Sequence, residues 1–461
     1  AVAAALCAAA AAAAGCKRAN PIYCDEQADC ESGWVCDLDR RECLFDGMDA
    51  GWNGEGCADS TRCPAETPIC SADHMCLACA AGATGDADCA ARDPATPTCR
   101  DDGRCVACLD AAECMDADAA FCDDVTGQCR GCASHDECAS QVCNFGGACV
   151  DAAAVVYVDN VSGADGSSCG DPGSPCATIG GTMGGLAKVM SGRRTLRIAA
   201  GQSYPEALLL DGVAVVLVGP GAILQPIVAD TAAIEAVNGA SVTVDGLTVS
   251  GGDGPSNGDG VRCSDDGTVV RIERAEIADN DDVGVEVGAG CDLHLDRSVV
   301  TRNAGGGVRV AGDLYDIVNT VVTANGGAAS TFGGVRLAPA GTVGTTRLEL
   351  STIAGNTTTS GAAGVQCASA LAAGSLILWA DSGGVELGPM CSVTYSDVQG
   401  GATGDGNLDA DPLFTDSTDV HIASGSPCID AADPAAAATV DIDGDLRPLG
   451  TGRDIGADEV E

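Results

Sequence analysis

The chain is predicted to be all-β, a solenoid of stacked coils preceded by a small disulfide-rich repeat domain. Three observations carry that expectation. The dipeptide Gly-Val recurs at Gly260-Val261, Gly284-Val285, Gly307-Val308, Gly334-Val335, Gly364-Val365 and Gly384-Val385, at intervals of 20 to 30 residues. A second phrase lies between the copies, in Ile272…Ile277…Asn280, Leu295…Val300…Asn303, Ile317…Val322…Asn325 and Leu348…Ile353…Asn356. Upstream, the cysteines between Cys24 and Cys149 fall into five sets of four. Self-similarity at such a period, with short β-type runs and Gly or Asn at the corners, marks a coil-by-coil repeat.

Composition narrows the function classes. Aromatics are 3% of the 461 residues while glycines number 63, so the core must be built from Val, Ile, Leu and Ala, which suits thin stacked layers. A formal charge of −44 opposes every encounter with nucleic acid or a bare anionic membrane. The 29 cysteines require an oxidising compartment, so a secreted or cell-surface protein is expected. After the leader, no apolar run approaches the roughly 20 residues that span a bilayer.

Residues 1–16 read as an export segment without its basic start, hence as a signal peptide truncated at the front. Ala13-Ala14-Gly15-Cys16 resembles a bacterial lipoprotein cleavage box, with Ala13 where Leu is usual, which makes Cys16 the candidate lipidation site. Ordinary signal cleavage is the alternative.

Residues 17–150 form the cysteine-rich repeats. The modules are Cys24, Cys30, Cys36, Cys43; Cys57, Cys63, Cys70, Cys76; Cys79, Cys89, Cys99, Cys105; Cys108, Cys114, Cys122, Cys129; and Cys132, Cys138, Cys143, Cys149. So short a module cannot bury enough apolar area to fold unaided, and two disulfides each is the simplest assignment; three pairings per module remain open. Cys76/Cys79, Cys105/Cys108 and Cys129/Cys132 have zinc-knuckle spacing, but each pair straddles a module junction, which favours disulfides. The stretch resembles the cysteine-rich repeats that precede adhesive or catalytic domains in large bacterial surface proteins, implying a stalk or contact module, or a plain spacer.

Residues 151–200 are expected to cap the solenoid, with a strand at 155–158, a loop closed by Cys169 and Cys176, and a short helix over 177–190 that covers the open end. Coils follow over 201–408. In Gly260-Val261-Arg262-Cys263, alternation points Val261 and Cys263 inward and Arg262 outward. Like residues on coils about 4.8 Å apart form ladders. Asn280, Asn303, Asn325 and Asn356 are expected to form one, each amide bonding its neighbours. The outward stripe reads Arg262, Glu286, Arg309, Arg336, Gln366 and Glu386. Cys263 and Cys291 stand in the same offset to their Gly-Val phrases as Cys367 and Cys391, so each pair is expected to staple adjacent coils, leaving Cys428 unmatched.

From about residue 155 onward the coil phrases resemble the right-handed parallel β-helix superfamily of pectate lyases and polygalacturonases. The resemblance implies the fold, and it implies that the outward stripe is a candidate glycan-binding face. Residues 409–461 are expected to close the β-helix. There, Asp411-Pro412-Leu413-Phe414, Ser426-Pro427-Cys428-Ile429-Asp430, Asp441-Ile442-Asp443-Gly444-Asp445-Leu446-Arg447-Pro448 and Asp454-Ile455-Gly456-Ala457-Asp458-Glu459 resemble bacterial surface β-helix proteins with a choice-of-anchor C-terminal region. Asp441, Asp443 and Asp445 at alternate positions are a candidate calcium site, although the EF-hand pattern is not met; a turn held by Asp-to-backbone bonds is the alternative.

An acidic-polysaccharide lyase needs a cationic base beside metal-binding carboxylates, and no acidic trio on successive coils beside an Arg is visible in the sequence. The His-containing and Arg-Ile-Lys signatures of polygalacturonases are also missing, and His74, His135, His294 and His421 are scattered. The expectation is a non-catalytic, secreted or envelope-tethered monomer that binds a polysaccharide or surface protein. A divergent lyase or glycosidase and a structural spacer are the alternatives. No cofactor beyond the candidate calcium is expected, and membrane contact only through a lipid on Cys16.

Overall fold

The computed structural model describes residues 57–460 apart from 58, 72–74, 117–118, 191, 313, 340–345 and 417–418, together with the backbone of a hairpin at Trp34–Asp37 and Glu42–Phe45. The export segment with Cys16, and the side chains of Cys24, Cys30, Cys36 and Cys43, lie outside the described residues. Two compact units divide the chain: residues up to 138 with 143–149, and residues 139–142 with 150–461. No helix among the described residues is long and apolar enough to cross a membrane.

In the first unit every described module pairs its cysteines first to third and second to fourth: Cys57–Cys70 and Cys63–Cys76, Cys79–Cys99 and Cys89–Cys105, Cys108–Cys122 and Cys114–Cys129, Cys132–Cys143 and Cys138–Cys149. With their sulfurs bonded this way, the cysteines of the junction pairs belong to different disulfides, and none is left as a thiolate for zinc. The last two cysteines of a module face each other across a minimal hairpin, as Cys99 does Cys105 and Cys122 does Cys129. A glycine with positive φ then closes the module: the Gly103, Gly127 and Gly147 carbonyls accept from the backbone N–H of Cys79, Cys108 and Cys132. One helix, Ala83–Arg92, interrupts the pattern, and it carries the second cysteine of its module, Cys89, fully buried.

The second unit is a parallel β-helix. Each coil passes through three walls. First-wall strands include Thr195–Ile198, Ala214–Val218, Ser241–Asp245, Thr268–Glu273, Cys291–Asp296 and Leu314–Val318. The second wall is shorter, as in Glu276–Ala278, Val299–Thr301 and Val321–Thr323. The third comprises Leu208–Asp211, Ile234–Val237, Val261–Cys263, Val283–Val287, Gly306–Val310, Val335–Leu337, Ala362–Cys367 and Val385–Leu387. Every pairing between coils is parallel and in register until the last, where a one-residue slip separates Ala362↔Val385 from Val365↔Leu387. One continuous apolar core fills the lumen, with Val270, Ile272, Leu293, Leu295 and Ile317 fully buried.

The corners explain the repeated phrases. Between the second and third walls the Asn ladder forms as expected: Asn280 Nδ2 donates to Asn303 Oδ1 at 2.8 Å, Asn303 to Asn325 at 2.9 Å, and Asn325 to Asn356 at 3.0 Å. The same oxygens accept the backbone N–H of the preceding rung, and Asn303, Asn325 and Asn356 each also donate to a second-wall carbonyl one coil back. Such complete pairing is what lets four amides sit at 2% exposure or less. The glycine of Gly-Val is the other half of this corner. A Cβ on Gly284 would lie 2.6 Å from Asn303 Nδ2, and one on Gly260 2.7 Å from Asn280 Nδ2, so lack of space rather than an unusual φ excludes larger residues.

A second ladder runs between the first and second walls. Ser298 Oγ accepts the Ala275 N–H at 3.2 Å, Ser351 that of Thr320 at 3.2 Å, and Ser396 that of Leu376 at 3.0 Å. Cys263–Cys291 and Cys367–Cys391 join adjacent coils as the shared offset required, and Cys169–Cys176 closes its loop. Cys428 is a buried free thiol whose Sγ lies 3.4 Å from Asp397 Oδ2. Eleven disulfides among the described residues mark an oxidising compartment, hence an extracellular or secreted protein.

The expected helix over 177–190 does not form. Its glycines leave a run of turns with a single 3₁₀ turn at Leu186–Lys188, yet Ile179, Leu186 and Val189 still pack onto the core. At the other end, residues 422–457 lie along the side of the solenoid: Ile422, Cys428 and Ile455 cluster with Val318, Leu350 and Ile377 at the first corner.

Candidate functional site

The outward stripe of the third wall is the surface on which sequence analysis converged. Strand register gives it as Leu209, Glu235, Arg262, Glu286, Arg309, Arg336 and Gln366, one residue per coil. Glu235 was missed because its coil lacks the Gly-Val phrase. Glu386 is not the next rung. The register shift sets Leu387 opposite Val365, so Glu386 falls two residues early, beside Gly364, and Val385, expected to point inward, is 54% exposed.

Two of the stripe's arginines are locked. Arg262 Nε donates to Asp259 Oδ2 at 2.6 Å, and its remaining nitrogens to Asn257 Oδ1 and the Ser256 carbonyl. Arg309 Nε donates to Glu286 Oε2 at 2.5 Å. Asp282 joins the group electrostatically. Three carboxylates, Asp259 on one coil and Asp282 and Glu286 on the next, therefore lie beside the arginines; the grouping is hard to see in the sequence because Asp259 precedes Gly-Val in one coil only.

Burial raises all three acids against the pull of the arginines, Asp259 to about 6. Burial opposes the charge of Arg309 too, but the hydrogen bond and charge of Glu286 outweigh it and hold the guanidinium above its ordinary value. This arrangement keeps Arg309 charged, so it is poorly suited to accept a proton. Arg336, by contrast, has no ion pair among the described residues, and its neighbour Gln366 buries an Oε1 with no hydrogen-bond partner.

Beyond Asn356 the ladder meets an acid. Asp381 Oδ1 accepts from the Asn356 backbone at 2.5 Å and from Asn356 Nδ2 at 3.0 Å, while Glu386 Oε1 accepts the Asp381 N–H at 3.1 Å. The remaining oxygens, Asp381 Oδ2 and Glu386 Oε2, are buried without a donor. Burial, then the hydrogen bond and charge of Glu386, push the Asp381 carboxyl far up.

The C-terminal acids do not fit a calcium site. Asp441 is fully buried, its Oδ1 accepting the backbone N–H groups of Asp443, Gly444 and Asp445, and its Oδ2 that of Glu459. Both oxygens of Asp441 thus hold the backbone of the turn, the alternative to calcium. Asp443 instead faces His421 Nε2 at 3.0 Å, and Asp445 is exposed. The other acids of this text are also structural. Arg447 and Glu459 form a fully buried ion pair at 3.0 Å, and Asp454 and Asp458 accept backbone N–H groups from Asp430, Val460 and Ile422.

Comparisons with known proteins bear on the two units separately. The profile of a family of unknown function, DUF8331, matches residues 45–155, the stretch of the cysteine-rich repeats. A search of curated proteins finds no match. Among solved structures, the crystal structure of pectate lyase Pel9A is similar at a TM-score of 0.41 and 12% identity, covering 67% of this chain and 96% of the lyase. At that level the likeness speaks to neither activity nor substrate, and the parallel β-helix rests on the strand pairing described above.

Proposed function

We propose that this is an extracellular protein whose β-helix binds an acidic polysaccharide along the third wall without cleaving it. One observation carries the reading: Arg262 and Arg309 are held by Asp259 and Glu286, whereas Arg336, beside Gln366, has no ion pair among the described residues. A planar cation next to an amide is suited to a sugar carboxylate and its neighbouring hydroxyl. The polysaccharide is the inferred partner, the protein acts as a monomer, and a lipid on Cys16 is the inferred tether.

The test is a panel of acidic and neutral polysaccharides with the full chain. Saturable binding to an acidic member is expected, falling about tenfold in Arg336→Gln, the loss of roughly one charge-assisted contact. No unsaturated or reducing-end product should accumulate. Turnover that disappears in Arg309→Ala would sink the proposal in favour of a lyase.

A further inference from the structure

A second feature lies at the opposite end of the solenoid. A cavity of about 310 Å³ opens beside the first coil, lined by Tyr157, Asp159, Ser162, Pro172 and Arg197 among others. Arg197 and Tyr157 are adjacent rungs of the first wall, so the guanidinium stem runs alongside the phenol ring. In a chain with 67 acidic and only 23 basic side chains, most arginines among the described residues pair with a carboxylate. Arg197 has none among the described residues. One terminal nitrogen donates to the Ile198 carbonyl, and Nε is buried with no partner.

Asp159, the acid in the cavity wall, does not supply the missing counter-charge. Its oxygens accept from Ser162 Oγ at 2.6 Å, Ser162 N at 3.0 Å, Val161 N at 2.8 Å and Gln202 Nε2 at 3.0 Å. The Tyr157 hydroxyl donates to the Ser140 carbonyl at 3.2 Å and keeps its lone pairs for an incoming donor. A half-buried guanidinium that meets a single carbonyl and no counter-charge loses hydration and gains little in return. Burial accordingly lowers its proton affinity, with only the phenols of Tyr204 and Tyr157 opposing.

We infer that this cavity is a binding site for one carboxylate-bearing sugar ring, a hexuronate, whose carboxylate pairs with Arg197. The size fits: about 300 Å³ is the lower end of small-ligand pockets. A single guanidinium matches one negative charge, and the fixed charge of Asp159 disfavours a dianion such as a phosphate ester. Pro172 and the Tyr157 ring offer apolar surface for the face of a pyranose, and the Tyr157 hydroxyl accepts from one of its hydroxyls. The site is separate from the third-wall stripe and does not rest on the reading given to it.

Titration calorimetry of the full chain with glucuronate, glucose, glucose 6-phosphate and N-acetylglutamate tests the assignment. Glucuronate is expected to bind saturably, and glucose and the phosphate ester at least tenfold more weakly. Arg197→Gln should abolish binding, and Arg302→Gln, at an exposed arginine elsewhere on the solenoid, should leave it unchanged. Ala152→Trp, which fills the cavity from its exposed rim, gives an independent answer if Arg197→Gln does not fold. Equal affinity for glucose, no saturable binding of glucuronate, or wild-type affinity in either cavity variant overturns the site. Tighter binding of N-acetylglutamate than of glucuronate overturns the sugar in favour of a peptide carboxylate.

Discussion

The two units of this chain solve the same problem by opposite means. In the repeats, cystines are the core: Cys79, Cys89 and Cys99 form one buried cluster and Cys132, Cys138 and Cys143 another, with hairpins of two-residue strands around them. In the solenoid, aliphatic side chains fill a continuous lumen, and buried amide and hydroxyl ladders hold the corners. The difference teaches what a repeat of a given length can bury. A 20-residue module that contacts few neighbours needs covalent closure, whereas a coil that stacks on two others shares their apolar area and backbone bonds.

The largest effect that separates the two is reduction. Each repeat disulfide spans 11 to 20 residues, and closing a loop of that size stabilises by about 3 kcal/mol. Removing eight together exceeds what a small domain holds. With dithiothreitol, limited proteolysis read by mass spectrometry should cut throughout 57–149 while 195–398 stays protected. Cuts spread evenly over both units would show that the solenoid also depends on its coil-to-coil disulfides.

Within the solenoid the weak point is buried charge. Asp259 is 1% exposed, and Arg262 is its cation. Removing one member of a buried pair costs about 3–5 kcal/mol, so Arg262→Ala should be the most damaging single change on the third wall. The pH dependence has a defined sign. Asp259 titrates near 6 in the fold but near 3.9 when unfolded, so between those values the folded chain binds more protons. Stability from this group therefore falls as pH rises across that window. The damage in Arg262→Ala should shrink when unfolding by denaturant is measured at pH 5 rather than 7. A deficit independent of pH would mean that packing of the Arg262 stem, not the Asp259 charge, is responsible.

The legible parts of the sequence were those that repeat. The Asn ladder and both coil staples follow from fixed offsets, since every coil must present the same groups to its neighbours. What could not be read was whatever happens once. Asp259 and Asp282 come together only because one coil carries an acid before Gly-Val and the next coil an acid in its turn. The register shift that withdraws Glu386 from the stripe is invisible in a chain that still spells Gly384-Val385. The glycines over 177–190 were discounted too far, and that segment turns where a helix was expected. The Asp-rich C-terminal text was read for its charge, yet its carboxylates mostly accept backbone N–H groups, a use of Asp that composition cannot distinguish from metal binding.

The end of the Asn ladder provides the smallest and most discriminating test. Four rungs carry amides that both donate and accept, and the fifth, Asp381, can only accept unless it keeps a proton for Glu386. Asp381→Asn would retain the oxygen that receives both Asn356 bonds and turn the other atom into a permanent donor toward Glu386. It should stabilise the last coil by about 1 kcal/mol, a typical net hydrogen bond. Because the folded Asp381 carboxyl is raised above its unfolded value, the wild type loses stability as pH rises, whereas the amide has no proton to lose. The advantage of Asp381→Asn should therefore grow from pH 5 to pH 8, read by hydrogen exchange of the Val385–Leu387 amides. A variant that is less protected than wild type at both pH values would show that Asp381 does not keep a proton in the fold, and that the ladder stops at Asn356 for want of space rather than of a donor.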